Sequence, residues 1–241
     1  MCIRDSTDTI DKTAAAARGI EVVAAAGANA AAVAEQALAL MLACAKSVVP
    51  LNARVHAGQW DKATHKGVEL GSRTVGLLGL GAIGRRFAAS VQVLGMRVLA
   101  YDPYAQEAPE GVTLVPLATL WRESDVLSLH CPLTDENREL IDAEVLAQCK
   151  RGVILVNTAR GGLIDEAALL QAVRSGQVMA AGLDSFAVEP IAPDHPFLGE
   201  PGFVLSPHIG GVTGDAYVNM GVAAARNLLD VLARQPSPQS A

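Results

Sequence analysis

Residues 74–102, TVGLLGLGAIGRRFAASVQVLGMRVLAYD, constrain the fold more than any other stretch of this chain. Two short apolar runs, Thr74–Leu78 and Arg97–Tyr101, enclose the glycines Gly79, Gly81 and Gly84 and a segment of helical periodicity. The runs are nearly continuous in apolar residues, as expected of parallel strands covered on both faces. Gly79 permits a tight turn after the first run, and Gly84 allows the following helix to pack against the sheet. Gly81 lets backbone approach a bulky group closely. Free N–H groups at the start of the helix then face that group, and a pyrophosphate suits them. Strand, glycine turn, helix and strand together predict a dinucleotide site.

The second run ends at Asp102. A carboxylate there accepts hydrogen bonds from both ribose hydroxyls and repels a 2′-phosphate, so NAD is expected rather than NADP. The competing reading is that Asp102 only opens a turn before Pro103. Downstream, strands are expected at Val126–His130, Val153–Asn157, Val178–Leu183 and Phe203–Ser206. Helices are expected at Ile83–Leu94, Leu117–Trp121, Ala143–Gln148, Glu166–Ser175 and Gly214–Arg234. This alternation predicts a doubly wound α/β domain on a parallel sheet. HCPLT ends the expected strand Val126–His130, so Cys131 and Pro132 should line the ligand crevice, with Pro132 and Leu133 against adenine.

Ahead of this domain the pattern differs. Thr9–Ala17 reads as a helix, Gly19–Ala24 (GIEVVA) as a short strand, and Ala30–Ser47 as an Ala- and Leu-rich helix buried on most faces. Pro50 should break or bend that helix, with a second helix over Leu51–Trp60. The first six residues, MCIRDS, fit neither periodicity and read as a translated sequencing adapter, which places the natural N-terminus upstream. The final PSPQSA is expected to fray.

Composition removes several function classes. Of 241 residues 51% are hydrophobic, enough for a sizeable core. The net charge is −6 without basic runs, which argues against nucleic acid as a partner. Cys2, Cys44, Cys131 and Cys149 form no CxxC pair and no Cys/His cluster of metal-ligand spacing, so no metal is expected. With no secretory signal legible, they read as reduced thiols of a cytoplasmic protein. The apolar stretch from Val22 to Ala45 is interrupted by Glu35, and neither half reaches the roughly 20 residues of a membrane span.

Three segments of the C-terminal third carry reactive groups: NTARGGLID, GLDSFAVEP and SPHIGG. Arg160 follows a strand and precedes two glycines, and its planar fork can hold a carboxylate bidentately. His208 follows the last strand and precedes Gly210 and Gly211. Histidine suits proton transfer because the ordinary pKa of an imidazole lies near neutrality. Glu189 is placed to hydrogen-bond His208 and hold one tautomer, although a glutamate before Pro190 is also an ordinary loop residue. Asp184 ends a strand and can meet a nicotinamide. Arginine, carboxylate, histidine and a dinucleotide site together predict hydride transfer on a 2-hydroxy or 2-oxo acid.

These motifs, with GANAAAVAE, YDPY and PHIGG, resemble the D-isomer-specific 2-hydroxyacid dehydrogenases, which include D-3-phosphoglycerate dehydrogenase and hydroxypyruvate reductase. The resemblance runs from about Thr7 to Arg234. It implies that Arg160 binds substrate, that Glu189 pairs with His208, and that His208 is the general acid/base. It also implies cofactor contacts at Ala82, Ile83, Asp102, Cys131, Thr158, Ala159, Arg160, Asp184, His208, Gly210 and Gly211.

The same likeness implies a Rossmann-like NAD domain over residues 49–212. A flavodoxin-like substrate domain would be built from residues 1–48 and 213–241, with dimerisation near the crossover helix. Relatives carry a further stretch before TDTID, whose last glycine turn binds the substrate carboxylate; here it should fall at or before Ser6. On that reading this chain binds NAD weakly to moderately and turns over poorly. Two alternatives remain at this point. Formate dehydrogenases share the fold but carry glutamine where this chain has Glu189. NAD-sensing corepressors share the fold and would bind NAD without useful turnover.

Overall fold

The computed structural model describes Thr7 and Ile10–Arg234. The expectations for MCIRDS, for the Thr9 end of the first helix and for PSPQSA lie outside the described residues. The described chain divides into two units, one comprising residues up to Ala32 with those from Gly211 onward, the other Val33–Gly210.

The larger unit is built on a parallel sheet. Its strands are β1 (Thr74–Leu78), β2 (Arg97–Tyr101), β3 (Val112–Leu114), β4 (Val126–Leu129), β5 (Val153–Asn157), β6 (Val178–Leu183) and β7 (Phe203–Leu205). They lie in the order β3-β2-β1-β4-β5-β6-β7, all pairs parallel. The order reverses direction at β1, where open sheets of this kind leave a ligand crevice. Every residue of β1, β4 and β5 is buried.

Alternate residues feed two cores. Leu99, Leu127, Leu129 and Leu155 pack against α5 (Leu117–Glu123), α6 (Ala143–Gln148) and α7 (Glu166–Arg174). Val75, Leu77, Val98 and Val156 pack on the other face with Phe87 of α4 (Ala82–Val93) and Leu40, Met41 and Cys44 of α2 (Ala30–Lys46). Helices therefore cover both faces, and the nearly unbroken apolar runs follow from that. Burial pushes the Cys44 thiol up to about 12, so it behaves as a small hydrophobe.

Three expectations need correction. GIEVVA forms no strand; an extended segment needs a neighbouring ladder for its N–H and C=O groups, and none pairs with it among the described residues. Strand β3 was not expected: it is three residues long at the sheet edge and only half-buried, so it carries little apolar pattern. The helix expected over Leu51–Trp60 is α3 (Val48–His56). The break falls at Ser47, which takes φ 50, and Pro50 sits in the first turn of α3, where its lost N–H would be unpaired anyway. From Val33 onward α2 belongs to the larger unit, where Leu40, Met41 and Cys44 pack on the sheet.

The smaller unit contains α1 (Lys12–Ala17), the start of α2 and α8 (Gly214–Arg234). Ala25, Ala216 and Met220 form its core. Asn227 Nδ2 donates to the Ala24 carbonyl at 2.8 Å. Gly211 lies against Asn29, where an added Cβ would come within 2.7 Å of Nδ2. Among the described residues no single helix is long and apolar enough to cross a membrane; α2 and α3 pass together only as a pair bent by 63°. The described residues hold no group of three or more His, Cys, Asp or Glu that could bind a metal.

Phe87 is fully buried between α4 and the sheet. Phe87→Ala should cost about 3–5 kcal/mol, the usual range for a core phenylalanine, read as a lower denaturant midpoint at unchanged slope.

Candidate active site

The glycines after β1 are each accounted for by a different neighbour. Gly79 takes φ +100, and an added Cβ would lie 2.8 Å from the His130 carbonyl and the Cys131 N. At Gly84 a Cβ would meet the Gly79 carbonyl at 2.3 Å, so the helix start can lie on the turn only without a side chain. Gly81, the N-cap of α4, makes no side-chain cap, and a Cβ there would meet nothing within 4 Å. Space and uncommitted helix N–H groups therefore coincide beside exposed Ala82 and half-buried Ile83, as a pyrophosphate requires.

Asp102 is half-buried at the end of β2. Its Oδ2 accepts from Leu80 N at 2.8 Å and its Oδ1 from Tyr104 N at 2.9 Å. The second bond is the turn anticipated before Pro103; the first ties the carboxylate to the glycine turn. Each oxygen keeps a further lone pair, so holding the turn and accepting from a ribose are compatible.

At the end of β4 the His130 ring packs on Phe87 with centroids 5.1 Å apart, and Nε2 meets Ser128 Oγ at 2.9 Å. Burial pushes its pKa down to about 3. Burial likewise pushes the Cys131 thiol up to about 11. Pro132 is exposed, and its carbonyl accepts from Asn137 Nδ2 at 2.8 Å, which closes the HCPLT turn. Among the described residues, three buried side-chain polar atoms lack a partner: His130 Nδ1, Thr158 Oγ1 and Ser185 Oγ. All three follow the carboxyl ends of adjacent strands β4, β5 and β6. Orphans are rare in native interiors, and their clustering at this edge fits a polar ligand.

Asn157 shapes the turn that carries Arg160. It is fully buried, accepts from Ala159 N at 2.9 Å through Oδ1 and donates to the Arg160 carbonyl at 2.9 Å through Nδ2. The Arg160 side chain is half-buried, with one guanidinium N–H on the Ala159 carbonyl at 2.7 Å. At Gly161 a Cβ would fall 1.8 Å from the Phe186 carbonyl carbon. That contact presses the Arg160 turn directly onto the loop bearing Glu189.

Glu189 Oε1 accepts from Phe186 N at 2.9 Å, and Oε2 meets His208 Nδ1 at 2.6 Å. The two side chains are 34% and 46% exposed, so the pair is formed and yet open on one side. His208 has φ 54, a conformation that non-glycine residues rarely adopt. Asp184, 1% exposed, holds the turn around it: Oδ1 accepts from Ser206 Oγ at 2.5 Å and Ile209 N at 3.0 Å, and Oδ2 from Gly210 N at 2.7 Å.

The structure thus brings Glu189 and His208 together and sets Arg160 on the neighbouring turn. Asp184, expected at the nicotinamide, directs its described hydrogen bonds to the His208 turn. Sequence reasoning passed over Asn157, Ser206, Gln36 and His195. His195 Nε2 meets Glu166 Oε2 at 3.3 Å, and Glu166 Oε1 accepts from Ala187 N at 2.9 Å, so this pair braces the Glu189 loop. Only the place of Asn157 and Ser206 inside motifs hinted at them.

Comparison with known proteins agrees. The family description "D-isomer specific 2-hydroxyacid dehydrogenase, NAD binding domain" matches residues 38–210. A hydroxypyruvate reductase of Thermotoga maritima is 44% identical over 93% of this chain and 74% of its own length. A D-3-phosphoglycerate dehydrogenase of Mycobacterium leprae is 43% identical over 97% of this chain, which spans 44% of that protein. The crystal structure of a D-2-hydroxyisocaproate dehydrogenase superposes with a TM-score of 0.90 at 33% identity, covering 98% of this chain and 76% of that one. The chain belongs to the D-isomer-specific 2-hydroxyacid dehydrogenase family, and the matched region is its NAD-binding domain.

His130 supplies a pH test. Its folded pKa of about 3 lies below the ordinary value of 6.5, so the unfolded state binds the proton first as pH falls. The neutral ring's contribution is complete above pH 6.5 and is lost progressively towards pH 3. The slope should reach about 1.4 kcal/mol per pH unit for one proton, and His130→Gln should reduce it by that amount in acid denaturation series.

Proposed function

We propose that this chain carries the catalytic groups of an NAD-dependent oxidoreductase interconverting a D-2-hydroxy acid and its 2-oxo acid. The observation that supports this best is the 2.6 Å pairing of Glu189 with His208 Nδ1. It leaves Nε2 as the ring nitrogen available to a reacting oxygen, on a ring 46% exposed. An orienting carboxylate behind a histidine is the arrangement that fixes a tautomer and steadies the protonated ring.

In the reductive direction, the protonated His208 gives its Nε2 proton to the carbonyl oxygen as that oxygen becomes a hydroxyl. Glu189 stabilises the charged ring beforehand and keeps its orientation afterwards. Arg160 holds the substrate carboxylate through its guanidinium fork. Bound NADH supplies the hydride that C2 of the 2-oxo acid accepts. The glycine turn at Gly79–Gly84 receives the pyrophosphate, Asp102 the adenosine ribose, and Cys131 and Pro132 flank the adenine end. Thr158, Ala159 and Arg160 line the middle, with Asp184 and the His208–Gly210 turn at the nicotinamide end. A proton-transferring pair of this kind is not needed for formate, and glutamate at position 189 favours a 2-oxo acid.

NADH oxidation with glyoxylate, hydroxypyruvate, pyruvate and larger 2-oxo acids tests the reading. His208→Ala should lower kcat by about two to four orders of magnitude; near-normal turnover would exclude the acid–base role. Arg160→Lys should raise KM by about tenfold or more, since hydrogen bonds to a charged group are worth about 1.5–3 kcal/mol and an ammonium does not reproduce the fork. An unchanged KM would remove Arg160 from substrate binding.

A further inference from the structure

We propose that Gln36, on helix α2, is a positioning residue for His208, acting through Ser206 and Asp184. Gln36 Nε2 donates to Ser206 Oγ at 3.0 Å, across 170 positions of sequence. The Ser206 hydroxyl donates in turn to Asp184 Oδ1 at 2.5 Å. The same carboxylate receives Ile209 N and Gly210 N, the two amides that follow His208. On the preceding side, His208 N donates to the Ser206 carbonyl at 3.0 Å. The turn bearing His208 is therefore gripped at both ends, and both grips lead to Ser206 and Asp184.

The direction of each bond matters. A serine hydroxyl has one hydrogen and two lone pairs. With an amide N–H pointing into one lone pair, the single hydrogen is left for Asp184, which is acceptor-only when ionised. His208 needs such restraint because its φ of 54 disfavours a side-chain-bearing residue. Released from it, the turn relaxes towards commoner backbone conformations, and Nδ1 leaves the 2.6 Å contact with Glu189. Gln36 touches neither substrate nor cofactor in this arrangement; it sets where the imidazole stands.

Two near-isosteric substitutions separate donor from volume. Gln36→Glu turns the donor into an acceptor that competes for the single Ser206 hydrogen and sets a second carboxylate near buried Asp184. Gln36→Met keeps the length and removes both polar atoms. The proposal rests on the acid–base role given to His208, so one readout is independent of turnover. In the cofactor-free protein, the imidazole N–H bridging His208 and Glu189 should give a slowly exchanging downfield proton resonance, assigned by its loss in His208→Gln.

We expect that resonance to broaden or vanish in Gln36→Glu and to exchange faster in Gln36→Met, with thermal midpoints confirming that each variant is folded. Should Gln36→Glu fail to fold, Gln36→Met carries the comparison. In glyoxylate-dependent NADH oxidation, kcat should fall on the order of 10- to 100-fold, as displacements near 1 Å produce, with KM little changed. Absence of the resonance from the unsubstituted protein, or its persistence in both variants, overturns the proposal. If the resonance responds while the unsubstituted protein turns over no 2-oxo acid, positioning stands and the assigned reaction falls.

Discussion

Parallel strand pairing with both faces buried is the constraint on which the larger unit depends. Strands β1, β4 and β5 are buried along their whole length, and helices cover the sheet on each side. Reactive side chains have no place on those faces, because an uncompensated polar group there costs several kcal/mol. They collect instead where the strands end. Gly79, His130, Thr158, Asp184 and Ser206 follow β1, β4, β5, β6 and β7 in that spatial order, so the sheet edge itself sets the order of these groups along the candidate site.

What converts a row of strand ends into a working geometry is a small set of buried acceptors. Asn157 folds the Arg160 turn back on itself, and Asp184 draws in the turn after β7. Each satisfies backbone amides that would otherwise be stranded, which compensates its own desolvation. Gly161 then lets two loops touch backbone to backbone, closer than any side chain would permit. Arg160 and His208 stand as they do because buried side chains of Asn157 and Asp184 hold the main chain beside them.

The α/β alternation and most boundaries of the larger unit were legible in the chain. Every strand expected from Thr74 onward is present, because a continuous apolar run of four to six residues has few other uses. Strand β3 escaped, being short, half-buried and at the edge. GIEVVA misled because β-propensity reports a surface that a neighbour can cover, and no described strand lies beside it. In the site, glycine spacing disclosed the tight turn between β1 and α4, and adjoining glycines drew attention to Arg160 and His208. Gln36, Ser206, Asn157 and the Glu166–His195 pair carried no comparable signal, since amides, hydroxyls and paired charges occur everywhere on helices and loops.

By itself the sequence determined what depends on neighbours along the chain: strand and helix periodicity, the glycine turn, the composition of each motif, and hence the family. Those properties follow from backbone sterics and side-chain period within a few residues. Tertiary structure alone decided which groups meet. Glu189 and His208 lie 2.6 Å apart, and Gln36 reaches Ser206 across 170 positions, only because sheet order and helix packing bring distant segments together. Hydrogen bonds act over about 3 Å, a distance that sequence separation does not encode.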